Sequence, residues 1–360
     1  MTSANPVCTG LAPLSGTLNI SAGTTAEDFA DLQGITVVQG DVVLTSPQAS
    51  QSGPLNAFLL SLTTVSGCIV VSGIDFGIDF NSLTSAGCVQ LINFTTTGEI
   101  SVPLLVNVTY DVQLQHNNNP KLEFPLLESV RNLLVEGNDG LEILTIDGLV
   151  QADAIQVREN PLQGIVELPA LINVTGKIII NSNDQLQTVQ AALLQKRWVS
   201  IGMNQQLQSV DFASWLTGDR FVVTGNQLFD SPPSAPVEVP SPNATEPPRI
   251  LIQDNSNLTS VILTSVVEAT AVVIRNNAEL TEIDFPSLQN LAVDVMSSIM
   301  GNPLLTLVLM PSLTTGWVGI TSNEQLQSVN FTSWLAGYRF TVTGNQLFDS
   351  PPSAPGQSVI

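Results

Sequence analysis

The 360-residue chain has few basic residues. It contains 10 Lys and Arg against 31 Asp and Glu, which gives a formal net charge of −21. A negative field of this size repels phosphate groups, so we expect no binding to nucleic acid or to an anionic membrane surface. Only 11% of the residues are charged and 43% are hydrophobic. This composition is too apolar for a disordered acidic tail and allows a large core.

Long apolar runs are also missing. No run of 18 apolar residues occurs, so the sequence predicts no membrane-spanning helix. The first ten residues, MTSANPVCTG, lack the basic and apolar regions of a secretory signal peptide. Because the features described below favour an extracellular protein, we expect the natural N-terminus to extend further upstream.

Residues for catalysis are scarce. His116 is the only histidine and lies in QLQHNNNPK, a sequence typical of an exposed turn. A His-rich zinc site is therefore excluded, and any catalytic triad would depend on this one residue. Paired carboxylates would still allow a polysaccharide-acting β-helix enzyme, which is the alternative interpretation. The acidic residues are scattered singly, so we expect a non-catalytic protein without metal or cofactor.

The chain contains an internal duplication. The phrase NQLFDSPPSAP occurs at 226–236 and again at 345–355, and residues 201–236 match 320–355 at 28 of 36 positions. Proline excludes helix and central strand from the stretch that follows the first copy. The sequence predicts a solenoid over 1–230, a Pro-rich linker or extruded loop over 231–249, a partial duplicate solenoid over 250–349 and a Pro-rich tail over 350–360.

A shorter period lies inside these blocks. The motif apolar-x-apolar-x-x-Asn recurs at spacings of 21 to 25 residues, apart from one spacing of 29 that contains the Pro-rich stretch. A fixed period of this length is typical of a solenoid. The recurring asparagines, called the ladder asparagines below, are Asn117, Asn138, Asn160, Asn183, Asn204, Asn226, Asn255, Asn277, Asn302, Asn323 and Asn345.

This period predicts an all-β fold, a parallel right-handed β-solenoid with leucine-rich-repeat-like coils of about 22 residues and a rung spacing of about 4.8 Å. The ladder asparagines are expected inside the turns, where they satisfy backbone amides of neighbouring rungs. A leucine two or three residues later is expected to point inward. Irregular strand signals before the ladder bring the total to about fifteen coils.

The two ends of the repeat raise separate expectations. The segment TTAEDFADLQG predicts a short N-terminal helix that covers the open end of the solenoid. The second copy begins at once with the apolar rung ILIQDN. Because this rung would otherwise be exposed, we expect the second copy to stack on or continue the first, with two separate domains as the alternative.

Several segments resemble a known family. VVIRNNAELTEIDFPSLQNL and VQLQHNNNPKLEFPLLESVRNLLV resemble the receptor L domain, the leucine-rich-repeat-like β-helix of insulin- and EGF-receptor ectodomains. They are also similar to fungal GPI-anchored cell-wall proteins that reuse this fold. The opening CTGLAPLSGTLNIS resembles the start of an L domain, where a cysteine precedes the first rung. The resemblance implies an extracellular, non-catalytic module. It implies no receptor signalling, because the chain lacks a Cys-rich module and a kinase.

Three cysteines are present. Cys68 and Cys88 each stand directly before a predicted strand, so they are expected on adjacent rungs within disulfide range, and two free thiols are the alternative. Cys8 is either unpaired or, as the L-domain resemblance implies, bonded to one of the other two.

The chain contains seven Asn-x-Ser/Thr sequons, and several of them are expected to be glycosylated if the chain is exported. They lie at Asn19, Asn93, Asn107, Asn173, Asn243, Asn257 and Asn330.

Two tryptophans are candidate ligand contacts. Trp215 and Trp334 occupy matching positions in the duplicated blocks, followed by Arg220 and Arg339. Such pairs stack on sugars or anchor protein partners. The favoured interpretation is structural, with each Trp filling the core where the repeat ends.

These features favour a secreted or cell-surface glycoprotein, or a cell-wall component, that binds a protein or polysaccharide or serves as a spacer. Ice binding requires a flat, regular threonine array. The sequence lacks this array.

Overall fold

The computed structural model describes residues 13–94, 100–118, 121–162, 164–194, 196–212, 220–226, 249–334 and 339–345. It divides into two compact units. Unit 1 comprises Met1–Leu141 with Ile146–Gly148, and unit 2 comprises Glu142–Thr145 with Leu149–Ile360. This division lies elsewhere than the boundary proposed from the Pro-rich stretch. In both units the described residues form short parallel strands, so the predicted parallel β-solenoid is confirmed.

Unit 1 has a first face of parallel strands and a shorter second face. The first face comprises β1 (Leu14–Ser15), β2 (Leu18–Ser21), β3 (Val37–Gln39), β4 (Val42–Thr45), β5 (Thr64–Ser72), β7 (Ser85–Ile92), β9 (Asn107–Val108), β10 (Asp111–Gln115) and β12 (Ser129–Glu136). The second face comprises β6 (Ile78–Asp79), β8 (Ile100–Ser101) and β11 (Lys121–Glu123).

Unit 2 repeats this plan more regularly. Its first face comprises β14 (Gln151–Arg158), β16 (Asn173–Asn181), β18 (Lys196–Gly202), β20 (Arg220–Thr224), β21 (Arg249–Gln253), β24 (Ala271–Arg275), β27 (Met296–Met300), β29 (Trp317–Thr321) and β31 (Arg339–Thr343). Its second face comprises β13 (Ile143–Thr145), β15 (Ile165–Glu167), β17 (Thr188–Gln190), β19 (Ser209–Asp211), β22 (Ser260–Ile262), β25 (Glu282–Asp284), β28 (Leu307–Leu309) and β30 (Ser328–Asn330). A third pairing joins β23 (Glu268–Ala269) to β26 (Asn290–Leu291).

Alternating residues of each first-face strand fill the core. In β16, for example, Ile178 and Ile180 are at most 1% exposed, whereas Ile179 between them is half-buried. This period of two is what a strand dictates. The leucines that follow the ladder asparagines are completely buried, as predicted: Leu186, Leu207, Leu258, Leu280, Leu305 and Leu326.

Among the described residues of unit 1, two segments form α-helices. Helix α1 (Ala26–Asp31) forms within the segment predicted to be helical. Thr25 caps it, and hydrogen bonds from the backbone and side chain of Thr25 hold the pKa of Asp28 below its usual value. Helix α2 (Ser52–Ser61), preceded by a 3-10 turn over Ala49–Gln51, was not predicted; it buries an apolar stripe of Leu55, Phe58 and Leu59.

Glycines of unit 1 allow close approach of neighbouring rungs. Gly40, Gly67 and Gly87 stand at equivalent positions of three successive coils. A Cβ on Gly87 would lie 2.5 Å from the carbonyl oxygen of Gly67 and 2.6 Å from that of Ser66. Only glycine fits such a backbone approach.

The two copies of the duplicated block are joined by direct strand pairing within unit 2. β20 and β21 pair in parallel from Arg220↔Arg249 to Thr224↔Gln253, although residues 227–248 separate them in sequence. This is the arrangement expected if the second copy continues the first. The proposed linker itself lies almost entirely outside the described residues.

The residue before each ladder asparagine adopts a left-handed backbone conformation. Its φ lies between 51° and 70° at His116, Gly137, Glu159, Ser182, Met203, Gly225, Asp254, Asn276, Gly301, Ser322 and Gly344. The sequence motif did not reveal this column, because only some of its members are glycines. A side chain at such a position costs roughly 1–2 kcal/mol.

Met203→Gly is therefore expected to stabilise the protein by about 0.5–1 kcal/mol, since relief of this strain outweighs the extra chain entropy of glycine. Met203 is 49% exposed, so little packing is lost. Met300→Gly is the matched control, because Met300 ends the extended strand β27 and is also exposed, at 38%. The Met300→Gly substitution should lower the free energy of unfolding by about 1 kcal/mol. Urea unfolding measures both, and destabilisation by Met203→Gly would contradict the argument.

Candidate functional site

The ladder asparagines form the interior of the turn. All are at most 1% exposed except Asn345, which is half-buried. In unit 2, Asn183 donates from its backbone N–H to Oδ1 of Asn204 at 3.0 Å and from Nδ2 to the same atom at 3.1 Å. Asn204 Nδ2 donates to the carbonyl oxygen of Ile180 at 3.0 Å. Unit 1 repeats the pattern between Asn117 and Asn138. The predicted position of the asparagines is confirmed, and their role is structural.

Cys68 and Cys88 are joined by a disulfide on neighbouring rungs of β5 and β7. Their Cα atoms are 4.3 Å apart, and the two residues are direct partners in the strand register. The bond links two successive coils of unit 1. Cys8 lies outside the described residues.

His116 is exposed on a turn, as its sequence context predicts. It also occupies the left-handed column, with φ of 55°. Among the described residues, no three His, Cys, Asp or Glu side chains lie close enough together to hold a metal ion.

One outward column on the first face of unit 2 combines cationic, aromatic and thioether side chains. Its members stand near the start of first-face strands, apart from Lys177 in the middle of β16, and the register places them on successive rungs. All are at least partly exposed except Ala271, which is buried. We call this set the cation–aromatic column. In order it contains Lys177, Trp198, Arg220, Arg249, Ala271, Met296, Trp317 and Arg339.

The middle of this column brings two guanidinium groups together. Arg220 and Arg249 are direct register partners on adjacent rungs. Burial, and in second place the positive charge of Arg249, lowers the pKa of the Arg220 guanidinium. Trp198 Nε1 and Arg220 Nε are buried donors, and neither has a hydrogen-bond partner within the part of the chain that the structure describes. The middle of the column therefore combines two neighbouring positive charges with two buried donors that no described acceptor satisfies.

The distal end of the column is ordered by a cation–π contact. The guanidinium carbon of Arg339 lies 4.9 Å from the ring centroid of Trp317. Such a contact holds the charge on an outer face. Met296, the register partner of Trp317, is 46% exposed.

Trp334, which the sequence singled out, does not belong to this column. Trp334 is 8% exposed and packs against Phe331 and Phe340 at ring-centroid distances of 5.7 and 6.1 Å, so the structural interpretation is confirmed for it. Trp215 lies outside the described residues. The sequence did point to Arg220 and Arg339, but it missed Trp198 and Trp317. Their strand register was the signal that identified them.

Four of the six described sequon asparagines are exposed, namely Asn19, Asn93, Asn107 and Asn173. Asn257 is half-buried, and its Nδ2 donates to the carbonyl oxygen of Gln205 at 2.7 Å. Asn330 is also half-buried, and its Oδ1 accepts from the N–H of Thr332 at 3.2 Å. Asn243 lies outside the described residues.

Among the described residues, no helix has the length and apolar character needed to cross a membrane. No known protein family, curated protein or solved structure matches the chain. The solenoid and its side-chain columns are therefore the basis for inferring function.

Proposed function

We propose that this protein is a non-catalytic recognition module of the cell surface or cell wall, related in design to the receptor L domain. The observation that carries the proposal is the cation–aromatic column. It places cationic and aromatic side chains along successive rungs at about 4.8 Å, which suits a surface that binds along its length rather than at one cleft.

An extracellular setting is supported by the disulfide between Cys68 and Cys88, since such bonds persist in oxidising compartments. The four exposed sequon asparagines add to this support. The outer positions accept side chains of many kinds without disturbing the buried ladder. The same scaffold would thus serve a ligand-binding or a spacing role.

Glycan occupancy gives a residue-level prediction. In protein expressed behind a secretory signal, Asn107 and Asn173 are expected to be glycosylated and Asn257 unmodified. A glycan on Asn257 would have to leave from a half-buried Nδ2 that lies 2.7 Å from the carbonyl oxygen of Gln205, whereas the other two side chains are exposed. Site-by-site mass spectrometry measures occupancy. Full occupancy at Asn257 with none at the exposed sites would contradict this prediction.

Ligand binding is tested by probing the secreted, glycosylated protein on arrays of glycans and extracellular proteins. A recognition module should give saturable binding that an Arg249→Gln variant weakens. The absence of any saturable ligand would count against the recognition role and leave only the spacer role.

A further inference from the structure

The cation–aromatic column concentrates the scarce positive charge of the chain. Only 10 Lys and Arg occur in 360 residues, and four of them lie in this column: Lys177, Arg220, Arg249 and Arg339. Chance placement on a protein of net charge −21 would scatter them among acidic neighbours. A column of cationic side chains on a protein of this net charge indicates an anionic ligand.

Two of these positive charges lie next to each other in the middle of the column. The Arg220 guanidinium stands beside Arg249 on the next rung, and its buried Nε has no hydrogen-bond partner among the described residues. Guanidinium groups match carboxylates in bidentate geometry, so a ligand carboxylate would supply acceptors and reduce the repulsion between the two arginines.

The geometry of the column favours an extended ligand. From Lys177 to Arg339 it covers seven rung steps, or about 34 Å at about 4.8 Å per step. The cations are spread along this length and do not converge on one point. A small anion would contact one or two of them, whereas a linear polymer would contact all.

The residues between the cations indicate which polymer fits. Trp198 lies between Lys177 and Arg220, Met296 and Trp317 lie between Arg249 and Arg339, and these three side chains offer apolar and aromatic surface. Sugar rings combine apolar C–H faces with hydroxyl and carboxylate groups, and they match such a mixture. Nucleic acid carries a much denser charge, which a protein of net charge −21 repels.

We infer that the cation–aromatic column binds an extended acidic polysaccharide of the uronate type, laid across the rungs of unit 2. This inference rests on the proposed recognition function and names its ligand class. The carboxylates pair with Arg220, Arg249 and Arg339, and the sugar faces lie against Trp198 and Trp317.

The test uses the whole secreted protein with an oligogalacturonate of about ten sugars, and a fully methyl-esterified oligomer of the same length as the neutral control. Titration calorimetry at two salt concentrations should show binding of the acidic oligomer only, weakening with salt. The double variant Arg220→Gln/Arg249→Gln should lower its affinity about tenfold.

Arg275→Gln is the matched control for charge. Arg275 lies on the same first face at the opposite end of β24, where its Nε donates to Gln253 Oε1 at 2.9 Å. The Arg275→Gln variant should bind the oligogalacturonate with an affinity within about twofold of that of the unaltered protein. Thermal unfolding of each variant verifies that the fold is retained.

Trp317→Leu and a polyglutamate of equal charge separate sugar recognition from simple charge attraction. A loss of oligogalacturonate affinity in Trp317→Leu, with weaker binding of polyglutamate, supports the inference. Equal binding of both polymers and no effect of Trp317→Leu would overturn it in favour of an acidic peptide. Equal losses in the Arg275→Gln control would likewise overturn it.

Failure of this inference is distinguishable from failure of the proposed function. If the oligogalacturonate does not bind but the arrays reveal another ligand, the inference is wrong and the recognition role stands. If neither experiment finds a ligand, both fail.

Discussion

Asn204→Ala is expected to lower the free energy of unfolding by about 4 kcal/mol, because it removes three hydrogen bonds from a buried turn. The side chain accepts from the backbone N–H and from Nδ2 of Asn183, and it donates to the carbonyl oxygen of Ile180. Asn204 is completely buried, so water cannot replace these bonds. Urea unfolding followed by circular dichroism measures the change.

Asn345→Ala is the matched control for the ladder. Asn345 makes the same type of bond, accepting from the N–H of Asn323 at 2.8 Å, but it is half-buried and water can reach the groups left behind. The Asn345→Ala substitution should lower the free energy of unfolding by about 1 kcal/mol. Equal costs at the two positions would show that the ladder contributes through something other than buried hydrogen bonds. Because repeat proteins unfold by segments, hydrogen exchange should locate the loss around β16 and β18.

Gly87→Ala is expected to destabilise unit 1 by about 3 kcal/mol through steric overlap. The added Cβ would meet two backbone carbonyl oxygens of the preceding rung, at 2.5 and 2.6 Å. Backbone cannot move aside as a side chain can, and the Gly87 carbonyl oxygen also accepts from the N–H of Tyr110 at 2.8 Å. The neighbouring rungs would have to separate. Thermal and urea unfolding both measure this effect.

Gly53→Ala serves as the control for Gly87→Ala. A Cβ on Gly53 meets nothing within 4 Å, and the residue lies in helix α2, where alanine is favoured over glycine by roughly 0.5–1 kcal/mol. This substitution should therefore stabilise the protein slightly. Similar destabilisation by both changes would mean that the close approach of the rungs does not limit the residue at position 87.

The repeating features of the fold could be predicted from the sequence because each residue type has one physical role in a coil. Asparagine at a period near 22 predicted the buried ladder, and alternating apolar residues predicted the strand faces. The paired cysteines were located by the same register. These patterns are local. Each coil contacts only its neighbours, so the same pattern recurs along the solenoid and no pairing between distant parts of the sequence has to be predicted.

Other features depended on the register between coils, which a linear sequence does not display. Trp198 and Arg220 lie in β18 and β20, whose sequences differ from each other. Only the pairing of these strands shows that the two residues are neighbours. Helix α2 escaped prediction because its Ser-Gly-Pro start and its leucine-rich end resemble a loop followed by a strand. The left-handed column was missed because methionine, glutamate and histidine occupy positions at which glycine is expected.

The bond between Asn226 and Asn255 shows what keeps the coils in phase. These residues are 29 positions apart, yet their side chains bond as in pairs 21 apart, and the strands that precede them pair without a shift. The asparagine bond and the strand pairing thus fix how one coil sits on the next. The number of residues between Asn226 and β21 can vary without changing that arrangement. A foreign peptide or an entire domain inserted between residues 227 and 248 would leave the phase of every later coil unchanged. Deleting a single residue inside β21 would instead turn the remaining side chains of that strand to the opposite face.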